Sequence, residues 1–201
     1  MKRISVFYGI VLGMFLMGTM STAQTVLTDV WKDKEYQGVP NKIAVFCIAQ
    51  DRTRRILLED EFVRQLKARG GLGMPMYVVI PPDKMVDKET ALAKVRGLGT
   101  DTVLTMRLID KLTARTTIPE PAKAGQAGQS PGPRFYVYAY DPITIPDGEP
   151  AYIETILFDA KAGRRIWAAR SVTKVTVIDQ KAMSGFIGSM LDRLAVDKLI
   201  Q

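Results

Sequence analysis

Apolar residues fall in short dense runs and in helically spaced stripes, and the order of the two predicts the fold. Residues 42–49 (KIAVFCIA) are apolar after the lysine and rich in β-branched side chains. That pattern marks a strand covered on both faces, as in the middle of a parallel sheet. Over residues 53–69 Leu58, Phe62 and Leu66 recur at i, i+4 and i+8, with Val63 widening the stripe. This predicts a helix with Glu59, Asp60, Glu61, Arg64 and Lys67 on its wet face, stopped by Gly70-Gly71. Residues 77–80 (YVVI) read as a second strand, ended by Pro81-Pro82. Asp87 then stands where a helix cap belongs, ahead of Leu92, Val95 and Leu98, with Gly99 as the stop. Residues 102–109 (TVLTMRLI) supply a third strand. Strand, helix, strand, helix, strand predicts parallel neighbours joined by right-handed crossovers.

The second half changes character. Residues 151–158 (AYIETILF) and 165–177 (RIWAARSVTKVTV) are strands separated by a turn ending in Gly163, which predicts an antiparallel hairpin. Glu154 reads as lying on an edge strand. Asp179 heads a last helix whose Met183, Phe186, Ile187, Met190, Leu191 and Leu194 form one broad apolar face. Gly185 and Gly188 let that helix approach the sheet, and Ile166 and Trp167 anchor the core beneath it. The fold class is therefore α/β: one domain with a mixed sheet in two or three layers, over residues 42–201, preceded by an extended segment at 24–41.

Residues 111–150 exceed what such a domain needs. Residues 119–133 (PEPAKAGQAGQSPGP) hold almost no large apolar group, and ordering those roughly 15 residues costs about 15–30 kcal/mol of backbone entropy with little burial in return. This predicts a flexible excursion. Phe135, Tyr136, Tyr138 and Tyr140 follow it directly. They read either as an aromatic rim for a partner or as one more strand laid on the sheet.

Composition narrows the function. The 201 residues carry 28 Lys plus Arg against 21 Asp plus Glu, for a net charge of +7, with no histidine and one cysteine. Histidine-based triads and metal sites are excluded, as are cysteine-cluster zinc and a disulfide framework. Lys2-Arg3, the uncharged apolar residues 4–20 and the small residues Ser21-Thr22-Ala23 have the three-part order of a secretory signal cut before Gln24. The alternative is a retained anchor, and membrane contact is expected only in that case. The predicted location is periplasmic or secreted. Basic charges are interleaved with acids along the chain, the pattern of a solvated surface and not of a nucleic-acid site.

Few residues offer chemistry. Arg52, Arg54 and Arg55 cluster beside Asp51 at the carboxyl end of the first predicted strand, where open α/β sheets place ligands, and form a candidate anion site. The simpler reading makes Asp51 a helix cap and the arginines a solvated rim. Cys47 lies mid-strand and reads as a buried inert thiol. No residue is assigned to catalysis, a metal or a cofactor.

Residues 153–169 (IETILFDAKAGRRIWAA), with 99–104 (GTDTVL) as a helix end leading into a strand and the Pro/Tyr-rich excursion before the hairpin, resemble a family of uncharacterised bacterial envelope proteins, mostly lipoproteins. The arrangement is also similar to the α/β domain of the curli-secretion lipoprotein and of the outer-membrane lipoprotein that activates a peptidoglycan synthase. The resemblance spans residues 41–201 and implies a non-enzymatic module that docks on envelope proteins. The chain departs from it in lacking a lipidation cysteine after the signal. Two functions follow as expectations: partner-protein binding through residues 111–150, or small-ligand or glycan binding at the strand ends near Asp51 and Arg54.

Overall fold

A six-stranded mixed sheet in the order β1-β6-β5-β4-β2-β3 forms the centre of the domain. The structure, a computed structural model, describes residues 24–49, 51–81, 88–121, 149–174 and 180–201. The strands are β1 (Gln24–Lys32), β2 (Lys42–Ile48), β3 (Leu72–Pro75), β4 (Thr102–Leu108), β5 (Ala151–Asp159) and β6 (Arg165–Lys174). The helices among the described residues are α1 (Arg52–Ala68), α2 (Lys88–Gly97), α3 (Lys111–Arg115) and α4 (Gln180–Val196). β2 pairs in parallel with β3 and β4, whereas β4, β5, β6 and β1 pair antiparallel in succession. The α/β class, the parallel first half, the hairpin and the C-terminal helix all match the hydrophobic pattern.

Strand alternation divides the core into two. Ile43, Val45 and Cys47 of β2 face α1 and α4, where Phe62, Leu66 and the α4 stripe close over them. Ala44 and Phe46 face the other way, onto Met76, Ile80, Val95 and Ile118. Trp167 is fully buried and donates its indole N–H to Asp197 Oδ2 at 2.7 Å, tying β6 to the end of α4. α4 also packs on α1, where Gly188 faces Gln65 and Gln65 Nε2 donates to the Ser184 carbonyl at 2.9 Å.

Helix ends follow local chemistry. Asp51 caps α1 by accepting the Arg54 N–H at 2.7 Å. Gly70, at φ +81°, lets the Gly70 and Gly71 N–H groups return to the carbonyls of Lys67 and Leu66. α4 stops in the same way, but with Lys198 in the left-handed position at φ 58°.

Two elements differ from expectation. Residues 77–80 are not a strand: Met76–Val78 form a short 3-10 helix, and the edge strand is β3 just before them. β3 runs close under α1 at Gly73, where a Cβ would stand 3.0 Å from Leu66 Cδ2, tighter than an ordinary contact. Gln24–Lys32 is more than a surface run, since it completes the sheet against β6. Residues 1–23, Asp87 and Asp179 lie outside the described residues.

Candidate functional site

Four strands carry one row of charge across the sheet. Arg107 of β4 is the register partner of Glu154 of β5, Glu154 that of Arg170 of β6, and Arg170 that of Asp29 of β1. Directly opposed residues of antiparallel strands share a face, so the signs run plus, minus, plus, minus on the side away from α1 and α4. Glu154 Oε2 accepts from Arg107 Nε at 3.0 Å and Nη2 at 2.6 Å, and Oε1 accepts from Arg170 Nε at 3.0 Å. Glu154 and Arg170 are each only 4% exposed. Both carboxylate oxygens are thus spent on guanidinium groups, which makes Glu154 a counterion. β5 is an interior strand, which corrects the edge expected for Glu154; only a register that no local pattern reports brings its partners to it.

The row holds the first stem of the 111–150 connection. Asp110 caps α3 by accepting the Thr113 N–H at 2.8 Å. Arg170 Nη1 donates to the carbonyls of Thr113 at 2.9 Å and Thr116 at 2.5 Å. Asp29 Oδ2 accepts the Ile118 N–H at 2.6 Å, and Arg165 Nη2 donates to the Pro119 carbonyl. The Arg165 guanidinium lies 4.3 Å over the Trp31 ring, which holds it in place. Ile118 is buried against the second core, a contribution of about 1.5–3 kcal/mol. The returning stem enters β5 at Ala151, beside a bond from the Ile109 N–H to the Tyr152 carbonyl at 2.9 Å.

The candidate partner residues Phe135, Tyr136, Tyr138 and Tyr140 lie outside the described residues. Of the candidate anion residues, Arg52 and Arg54 are exposed on the first turn of α1. Arg55 is buried instead. Its Nε donates to Glu59 Oε1 at 2.9 Å, its Nη2 to the Ile80 carbonyl at 2.8 Å, and its guanidinium covers the Phe46 ring at 4.7 Å.

Glu59 corrects the reading of 59–61 as helix surface, for it is fully buried. It also accepts the Cys47 N–H at 3.0 Å and the Tyr77 N–H at 2.7 Å, linking α1 to β2 and to the 3-10 helix. Burial raises its pKa above the usual carboxylate value, while Arg55 beside it pulls the other way. Burial, reinforced by the Glu59 charge, pushes the Cys47 thiol up to about 12. A group this reluctant to ionise is a poor nucleophile. Among the described residues no cluster of three His, Cys, Asp or Glu side chains could hold a metal ion, and no helix is long and apolar enough to cross a membrane.

No protein-family model matches the chain, and no curated protein matches it. Among solved structures, the PelC dodecamer from Paraburkholderia phytofirmans is 15% identical, with a TM-score of 0.46 over 86% of this chain and 97% of that one. A variant of the same dodecamer is also 15% identical, with a TM-score of 0.44 over 84% of this chain and 95% of its own.

Proposed function

We propose that this chain is an exported, non-enzymatic accessory protein of the bacterial envelope that captures a partner protein through its 111–150 connection. Phe135, Tyr136, Tyr138 and Tyr140 supply the contact. The observation that carries this reading is the anchorage of both stems: Arg170, Asp29 and Arg165 hold the outgoing backbone, and Ala151 enters an interior strand. A long connection mounted on a rigid sheet loses less freedom on binding than one hung from frayed ends. Its composition, poor in apolar side chains and then dense in tyrosine, offers aromatic contact area to a partner.

Deleting residues 122–132 together with Tyr136→Ala and Tyr138→Ala tests this. The altered chain keeps its melting temperature and far-UV spectrum but no longer retrieves from envelope extract the partner that the parent chain retrieves. Undiminished retrieval refutes the reading.

A further inference from the structure

Residues 113–121 cross the sheet as a strap, and the sheet grips that strap mainly by its backbone. Carbonyls at a three-residue spacing (Thr113, Thr116, Pro119) meet Arg170 and Arg165, and the Ile118 N–H meets Asp29. Among the side chains, Thr116 Oγ1 also accepts from Arg170 Nη1 at 2.9 Å, and Ala114 and Ile118 are buried. The other strap side chains from Arg115 to Glu120 are exposed. A surface that reads three carbonyls and one N–H, with one hydroxyl and the two apolar side chains Ala114 and Ile118, makes most of its polar contacts to backbone. Its frame also stands without the strap, because Glu154 holds Arg170 and Trp31 holds Arg165. None of the strap's bonds to Arg165, Arg170 and Asp29 belongs to the strand ladder, so it can leave while every strand stays paired.

We propose that this strip of the sheet is a peptide-binding site whose resident occupant is the chain's own strap, the last turn of α3 and the run after it, displaced by a partner-protein segment carrying isoleucine or valine followed by proline. The branched residue fills the Ile118 position. The proline holds it extended, as Pro119 holds Ile118. This inference shares its anchoring bonds with the function proposed above but uses none of the tyrosines, so peptide binding and partner retrieval are read separately.

The test uses a fluorescent peptide with the sequence of residues 113–121, titrated into the full-length parent chain and into the full-length Ile118→Asp chain. In the parent the tethered strap competes at high effective concentration. The expected result is saturable binding to I118D, at least tenfold tighter than to the parent, and its loss when Arg165→Ala is added. Absence of binding to an I118D chain that still melts cooperatively overturns the proposal, as does equal binding to the parent or binding that survives Arg165→Ala. Should I118D not fold, hydrogen exchange on the unaltered chain decides. An Ile118 amide exchanging at least tenfold faster than the Leu157 amide supports a strap that opens alone, and equal protection overturns it.

Discussion

Replacing Glu154 by glutamine keeps the size of the side chain and removes the one negative charge between two guanidinium groups. Arg170 has 5% of its side chain exposed and Arg107 18%, so neither recovers full hydration when its counterion goes. Breaking a buried ion pair by removing one partner costs about 3–5 kcal/mol. The amide retains one acceptor and Arg107 is partly wet, which places the expected loss near the lower end, about 3 kcal/mol. At about 2–4 °C per kcal/mol for a domain of this size, the melting temperature falls by about 6–12 °C. Urea titration checks it: the midpoint drops and the slope stays unchanged, because the same surface is exposed on unfolding. A loss under about 1 kcal/mol would rank Glu154 with solvent-screened surface pairs and refute the row as an anchor. The triple change Arg107→Met, Glu154→Leu, Arg170→Met separates charge from packing. It is expected to be more stable than Glu154→Gln yet to fall short of the parent, because the Thr113 and Thr116 carbonyls lose Arg170 and the strap that buries Ile118 is loosened.

Other perturbations probe the rest of the account. Cys47, pushed up to about 12 by burial, is expected to ignore a thiol reagent in the native protein and to react fully in denaturant; rapid native labelling would contradict its burial in the core. Lys198→Gly removes a Cβ from the left-handed position at φ 58° and is expected to add about 1 kcal/mol, whereas Gly70→Ala at φ +81° loses about as much, both read from urea midpoints. The Arg64 guanidinium bonded to Glu61 holds that carboxyl down to about 2, against the usual 4.5. A lowered folded pKa adds stability above the unfolded value and forfeits it as pH falls through the folded one. The parent therefore exceeds Glu61→Gln by about 1 kcal/mol or less near pH 6, since Arg64 is exposed, and the gap closes as pH falls from 4.5 past 2. A gap constant with pH would contradict this.

Much of the fold could be read from local pattern, because β2, α1, β4, the hairpin and α4 each carry a clear hydrophobic period. β3 could not: LGMP has loop composition, and what makes it a strand is its parallel pairing with β2, with Gly73 close beneath Leu66 and Val63. β1 hid for a different reason. As an edge strand it is only half covered, and its polar residues read as an extended surface run. The two buried glutamates escaped most completely. Glu59 shares a helix turn with exposed Asp60, and its burial depends on backbone N–H groups at Cys47 and Tyr77. Glu154 depends on Arg107, 47 residues back in the chain. Paired charges inside a sheet look like surface charges until the register is known. The one available signal was the Arg170 of β6, a charge inside an otherwise apolar or small run (IWAARSV), which called for a partner across the strands.

The most direct measurement places a photo-crosslinking residue at Tyr138 in cells, with a second probe at exposed Lys67 on α1 as control. One discrete adduct from position 138, absent from position 67 and lost on deleting residues 122–132, is the predicted outcome. The same adducts from both positions, or none from 138, would contradict a connection that recognises a partner.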